Sequence, residues 1–300
     1  MQLVYSSQYE LSLPGHVWPT EKYRLVAEAL RGVAGVEFVE PSPVSWDDLA
    51  LVHTREYLDK LRLDRLTPEE VATLELPWRP ELADGFRLMV GGTRDTVVAA
   101  LERGRAAHIG GGLHHAFAGH GEGFCPLNDI AVAIRVAQRG FRLQAEVSPI
   151  RRAAVIDLDV HHGNGTAMIF EQDPDVFTCS IHQQHNYPMF KPRSGLDIGL
   201  ENRARDEDYL AAVDRALPAV MATRPEIVVY VAGADPFERD RLGGLSVTKA
   251  GLAERDRRVI QTVRSAGVPL AVVLAGGYAF DVQETVNVHV ATIRTLLTSG

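Results

Sequence analysis

The segment Asp157-Leu-Asp-Val-His-His-Gly-Asn164 sets two carboxylates and two imidazoles within a few residues of chain, more ionisable chemistry than a turn or a helix cap uses. Side chains of an extended chain alternate between faces, so Asp157, Asp159 and His161 share one side, while Leu158, Val160 and His162 take the other. Two carboxylates and an imidazole crowded at a buried strand end repel and desolvate unless something positive lies between them, and a metal ion meets that need. Asp159 and His161, joined by Asp235 from a neighbouring strand end, form an oxygen, nitrogen, oxygen ligand set without thiolate. Such a set suits zinc or iron(II), with a coordination position left open for water and substrate. Asp157, one layer deeper, is expected behind the set as an acceptor or as a ligand for a monovalent cation.

Two further glycine-rich ends carry reactive groups. His114 and His115 follow Gly110-Gly111-Gly112, and Tyr278 follows Gly276-Gly277. The adjacent imidazoles would flank a water activated by the ion, since accepting its proton requires a base titrating near neutrality. The Tyr278 hydroxyl would donate to a developing oxyanion. Polarised carbonyl, activated water, base and donor together describe amide hydrolysis. A single Asp or His after a strand is usually a cap, a turn residue or a packing residue, and His16 and His53 read that way, although the loop of His16 could reach a pocket. Period-two repetition of Asp-x-Asp-x-His does not fit capping, because caps cluster at one position.

These groups need strands to carry them. Leu3–Tyr5, the segment from Ala106 through Ile109 into the three glycines, Arg152–Val160, Val176–His182, Ile227–Asp235 and Leu270–Tyr278 read as short apolar strands. Between them lie helical patterns at Thr20–Leu30, Gly85–Leu101, Ile130–Gln138, Asp206–Met221, Thr248–Val263 and Val282–Leu297, with Thr20, Ser45 and Thr67 as N-caps and Gly104 and Gly140 as stops. Strand and helix alternate without linker or repeat, which predicts one domain over residues 1–300, a three-layer αβα sandwich around a mostly parallel central sheet. In such sheets ligands bind outside the carboxyl ends of strands, and here successive strands end in His114/His115, Asp159/His161, Ser180/His182, Asp235 and Tyr278.

Composition narrows the function classes. The 300 residues are 46% hydrophobic, enough for a large packed core, and 31 Lys and Arg against 39 Asp and Glu give a net charge of -8. Without a dense basic run, direct nucleic-acid binding is not expected. Cys125 and Cys179 cannot form a disulfide framework, so a reducing, cytoplasmic setting fits. The N-terminus has neither a basic nor an apolar targeting region, and no window reaches the length of a membrane span.

The motifs Gly-Gly-Leu-His-His-Ala116, Gly-Phe-Cys-Pro-Leu-Asn-Asp129, Asp-Leu-Asp-Val-His-His-Gly-Asn-Gly-Thr166, Ser-Ile-His-Gln183 with Tyr187-Pro188, Ala-Gly-Ala-Asp235 and Gly-Gly-Tyr278 resemble, in order and over nearly the whole chain, those of the histone deacetylase superfamily. That superfamily includes acetoin-utilisation proteins and acetylpolyamine amidohydrolases. Asp240-Arg-Leu-Gly-Gly-Leu-Ser246 and the compact length look most similar to the class IV branch. The resemblance implies an arginase-like fold and a deacylase of N-ε-acyl-lysine with one zinc per chain, iron(II) being the other metal the donor set suits. It places zinc on Asp159, His161 and Asp235, makes His115 the general base and then acid, and makes His114 its electrostatic partner backed by Asp157. Tyr278 would bind the substrate carbonyl. Asn164 stands behind His115 where some members have Asp and others Asn. A structural potassium ion would map onto Asp157, Asp159, His161, Ser180 and Ile181, the last through its backbone. Gly123, Phe124 and Tyr187 fall where the family lines its acyl-lysine tunnel, and Leu242 lies at its mouth.

The sequence departs from the pattern at Ala275, where a third glycine is commoner, and in lacking a match to the rim carboxylate that clamps a peptide backbone. Glu75, Glu81 and Asp84 are the candidates, each read as a solvated surface charge. The substrate is thus expected to be an acyl-lysine protein or peptide, or else a small acylated amine. Acetylpolyamine hydrolysis would favour an acid where Leu242 stands, binuclear manganese chemistry would need more ligands than Asp-x-Asp-x-His supplies, and a silent acyl-lysine binding module would need a damaged site.

Overall fold

In the computed structural model, which describes residues 1–142, 146–147 and 149–299, the strands are β1 (Gln2–Val4), β2 (Glu37–Val39), β3 (Arg105–His108), a short pair β4 (Phe141–Arg142) and β5 (Glu146–Val147), β6 (Ala153–Asp157), β7 (Val176–Gln183), β8 (Leu196–Leu200), β9 (Ile227–Val231) and β10 (Leu270–Val273). All but β4 and β5 join one sheet in the order β2-β1-β3-β10-β9-β6-β7-β8. Every neighbouring pair in it is parallel, so the expected mostly parallel sheet is parallel throughout. A parallel sheet is covered on both faces, and β6, β9 and β10 are accordingly buried end to end. Alternate residues feed two cores: Val228, Tyr230 and Val272 enter one, Val229, Val231 and Val273 the other.

The helices are α1 (Glu21–Leu30), α2 (Trp46–Leu49), α3 (Arg55–Arg62), α4 (Pro68–Leu74), α5 (Glu81–Arg103), α6 (Asp129–Arg139), α7 (Asn164–Phe170), α8 (Asp206–Ala222), α9 (Lys249–Ser265) and α10 (Val282–Thr298). α5 packs on α6, β3 and β10, and α6 on α7, while α1, α10, α9 and α8 pack in succession on the opposite face. Capping agrees with the sequence at Thr67, which forms a reciprocal box with Glu70, and at Gly104, which ends α5 in the left-handed region at φ 81°. Thr20 precedes α1 but its hydroxyl donates to the Leu11 carbonyl instead of capping. Ser45 caps only the single turn of α2, and a second cap at Thr54 restarts the chain as α3.

The chain crosses the sheet from β3 to β6, moves outward to β8, then returns to insert β9 and β10 at the centre. The carboxyl ends of β3, β10, β9 and β6 therefore border the point where strand order reverses, the crevice where parallel sheets bind ligands. The strands stop earlier than their apolar patterns suggest. β6 ends at Asp157, β9 at Val231 and β10 at Val273, so Asp159, His161, Asp235 and Tyr278 stand on loops beyond the ladder. These loops remain buried, which is why their sequences keep a strand-like apolar pattern.

Candidate metal and catalytic site

Asp159, His161 and Asp235 come together from the loops after β6 and β9, with ligand atoms within 4.8 Å of one another and all three residues buried. His161 Nδ1 lies 3.0 Å from Asp159 Oδ1 and 3.4 Å from Asp235 Oδ2. Backbone amides hold the carboxylates: Gly276 donates to Asp159 Oδ2 at 2.8 Å, His161 to Asp159 Oδ1 at 3.0 Å, and Val160 to Asp235 Oδ1 at 2.9 Å. Asp235 Oδ2 is buried without a hydrogen-bond partner. An orphaned carboxylate oxygen costs considerable desolvation unless a cation completes it. Gly276 leaves the necessary room, since a Cβ there would lie 1.9 Å from Asp235 Oδ2 and 2.5 Å from Asp159 Oδ2. The donor chemistry, the orphaned oxygen and this cradle fit a divalent metal. Burial, together with the charge of Asp159, pushes Asp235 up to about 7, and the two carboxylates push His161 up to about 10 against the opposing effect of burial. Such mutual distortion is the mark of a site short of positive charge.

The glycine run after β3 brings His114 and His115 to the same place. His114 Nδ1 meets Asp157 Oδ2 at 2.7 Å, and the two imidazoles approach with Nε2 atoms 3.1 Å apart. Their environments separate them: burial opposes a charge on His114, but Asp157 and Asp159 raise it to about 9, whereas burial and the two neighbouring imidazoles hold His115 well below its ordinary value. One imidazole is suited to carry charge and the other to accept a proton. His115 Nδ1 bonds Asn164 Oδ1 at 2.7 Å.

A cavity of about 160 Å³ opens from the surface to this pair. Glu75, Asn186, Leu242, Gly123, Phe124, Tyr187, Tyr278, His115 and His161 line it. A smaller inner space of about 30 Å³ shares His115, Gly123, Phe124, His161 and Tyr278 and continues toward Tyr23 and Ala275. The walls close so tightly around position 123 that only glycine fits: a Cβ there would lie 2.8 Å from the Tyr187 ring and 2.9 Å from His115. Gly123 and Phe124 both have positive φ, 49° and 68°, in a tight turn closed by reciprocal bonds between Glu122 and Cys125. The strained Phe124 backbone sets its ring 6.1 Å from that of Tyr278.

Every residue singled out for metal, base, donor or tunnel therefore lies in or beside one crevice. Asp157 and Ser180 pair in register on β6 and β7, with Ile181 next along the strand; Ser180 Oγ lies 3.0 Å from His182 Nδ1. His162 turns away as alternation requires, bonding Asp197 at 3.0 Å and packing on His182. His53 is a buried packing residue, while His16 does reach the pocket edge, its ring edge-on to Phe124 and its Nε2 2.9 Å from the Glu75 carbonyl. Glu75, read as a surface charge, is exposed and also lines the mouth of the cavity; Glu81 is exposed and Asp84 pairs with Arg87 on the surface. The sequence reading missed three residues. Lys22 of α1 is wholly buried and donates to the carbonyls of Ala275 and Gly277 beneath Tyr278. Asp240 accepts from the backbone amides of Tyr278, Leu242 and Gly243. Glu122 lies behind Asn164, 2.8 Å from its amide nitrogen. The signal for Lys22 was its place on the apolar face of α1; a loop Glu or Asp carries none.

An αβα sheet with a buried carboxylate and imidazole set and a narrow tunnel defines a metallohydrolase-type architecture, and comparison with known proteins identifies which. The histone deacetylase domain model matches residues 16–293, so the chain belongs to the histone deacetylase family. An uncharacterized protein of Picosynechococcus sp. is 40% identical, covering 96% of this chain and 95% of that one. Histone deacetylase 2 of Arabidopsis thaliana is 32% identical over 93% of this chain and 74% of its own length. The crystal structure of the HDA15 HD domain superposes with a TM-score of 0.79 at 25% identity, covering 99% of this chain and 91% of that one. The protein is a hydrolase of the deacetylase class. No helix among the described residues is long and apolar enough to cross a membrane.

Proposed function

We propose that this protein removes acyl groups from N-ε-acyl-lysine side chains, as one domain of the class IV type acting in the cytoplasm, with one zinc ion per chain held by Asp159, His161 and Asp235. The single observation that carries the reading is the cavity walled by Phe124, Tyr187 and Leu242, which reaches His115 and His161 and continues through the inner space to His114 and Asp159, beside the buried Asp235. When bound, the ion supplies Lewis acidity toward a carbonyl and lowers the pKa of water. The chain's own residues do the rest. The Phe124 and Tyr187 rings accept an alkyl arm and exclude water; His115 takes the proton of the attacking water and returns it to the leaving amine. His114, charged against Asp157, stabilises the negative charge that develops, and the Tyr278 hydroxyl donates to the carbonyl oxygen. A potassium ion on Asp157, Asp159, His161, Ser180 and the Ile181 backbone would stiffen the loop beneath.

One observation favours a second substrate. Glu75 at the mouth can accept a peptide N–H or pair with the second ammonium of an acetylpolyamine, and burial together with Glu122 raises its pKa. A panel of acyl-lysine peptides from acetyl to long acyl, run beside acetylpolyamines with metal analysis of the same sample, tests the proposal. Acyl-lysine peptides are expected to have the higher kcat/KM at about one zinc per chain. The reverse ranking moves the assignment to small acylated amines, and binding without release of acid removes catalysis altogether.

A further inference from the structure

We infer that Glu122 is a positioning residue that fixes the tautomer of His115 through the amide of Asn164. The inference rests on the base role just proposed for His115, but its first readout does not need turnover.

Hydrogen-bond satisfiability decides which nitrogen of His115 carries the proton. An asparagine amide can present either end to a neighbour, since its oxygen and nitrogen have nearly the same shape, and His115 could meet either end with one tautomer or the other. Something beyond Asn164 must therefore decide. Glu122 Oε1 lies 2.8 Å from Asn164 Nδ2, and an ionised carboxylate can only accept. The Asn164 nitrogen must then face Glu122, which turns Oδ1 toward His115 Nδ1 at 2.7 Å. His115 must carry its proton on Nδ1, and the Nε2 lone pair points into the site, where His114 Nε2 stands 3.1 Å away. A base whose lone pair faced Asn164 would be useless.

Glu122 is itself held for this task. The Tyr187 hydroxyl donates to the same Oε1 at 3.1 Å, and His120 Nε2 lies 3.5 Å from Oε2. Burial raises its pKa, but donation from His120, Asn164 and Tyr187 outweighs burial and keeps it below the ordinary range, so the carboxylate stays an acceptor. Its backbone is pinned by the reciprocal bonds with Cys125 around the Gly123-Phe124 turn. The charge missing at position 164 is thus present one residue further out, on a different loop.

The test compares the wild-type chain with Glu122→Gln and with the double variant Glu122→Gln/Asn164→Asp, all zinc-loaded and checked for an unchanged melting profile. Long-range nitrogen-proton NMR of ¹⁵N-histidine protein reads the His115 tautomer directly. The wild type is expected to show Nδ1–H alone, and Glu122→Gln a mixture with Nε2–H, because glutamine can donate as well as accept. On an acyl-lysine peptide, Glu122→Gln should lower kcat roughly 10-fold or more with KM within about twofold, in the range that loss of an orienting partner costs. In the double variant, the carboxylate introduced at position 164 accepts by itself, so the single tautomer and most of kcat should return. A Glu122→Gln chain with pure Nδ1–H and wild-type kcat, or a double variant no better than Glu122→Gln, overturns the inference. A wild-type chain that keeps the tautomer pattern yet turns over no acyl amide overturns the hydrolase reading alone.

Discussion

Asp235 divides its two oxygens between two tasks. Oδ1 accepts from the Val160 amide and fixes the carboxylate, while Oδ2 faces Asp159 and, at 3.4 Å, His161 Nδ1 without a hydrogen bond. Replacing that oxygen with an amide nitrogen, Asp235→Asn, removes both the charge and the lone pair. Metal content by elemental analysis should fall from about one ion per chain to well below half, because losing a ligand costs more affinity than the roughly 10- to 100-fold of removing an outer hydrogen-bond partner. In metal-free buffer the same variant should melt no lower than wild type, because it relieves the burial and like charge that push Asp235 up to about 7. Retained metal would move the site elsewhere. Tyr278→Phe separates the roles: its hydroxyl holds no ligand, so metal should stay while kcat drops by the roughly 10²- to 10³-fold of losing one oxyanion donor. Wild-type turnover in that variant removes Tyr278 from the chemistry.

The loops at the carboxyl edge can be tested separately from the strands, because it is the loops that hold the groups. The segment after β10 is clamped from below by Lys22 and from the side by Asp240, and it presents Gly276 to both carboxylates. Gly276→Ala would drive a methyl group onto Asp235 Oδ2 and Asp159 Oδ2 without touching either strand. Bound metal and activity should both be lost while far-UV circular dichroism stays native; a fully loaded Gly276→Ala chain would show that the cradle can open to admit a methyl group. The same edge explains what could be read from sequence and what could not. The convergence of Asp159, His161, Asp235, the two imidazoles and Tyr278 on one crevice was legible, because polar residues recur at one end of strands that otherwise need none. The strand ends were misplaced by up to five residues, as at Tyr278, because apolar periodicity reports burial, and these loops are as buried as the ladder. Glu122 was not legible as a site residue because a lone loop carboxylate reads as a solvated charge, and the place of Lys22 on the apolar face of α1 signalled its burial but not its partners 253 residues distant.

At the scale of the whole molecule, buried imidazoles tie separate elements together and should make the fold acid-sensitive. His53, between α2 and α3, meets the Phe117 carbonyl at Nδ1 and accepts the Asn128 amide at Nε2, which joins the helix layer to the start of α6. His108, at the end of β3, sits between Thr93 of α5 and Tyr9. His53 is satisfied only when neutral, since a second proton would point a donor at a backbone amide that can only donate. Burial accordingly lowers His53 to about 4 and His108 to about 3. A histidine depressed on folding binds its proton more readily in the unfolded chain. Its contribution is therefore intact above the unfolded pKa of about 6.5 and lost as pH falls from there toward the folded value. For His53 the full loss is of order 3 kcal/mol, accumulating at about 1.4 kcal/mol per pH unit. Urea denaturation of wild type and His53→Gln from pH 8 to pH 4 measures it. The stability gap should be constant above pH 7 and should narrow by about that slope below 6.5, as wild type alone loses stability to the proton at position 53. A gap that stays constant down to pH 4 would mean that His53 takes up its proton without breaking the Asn128 contact.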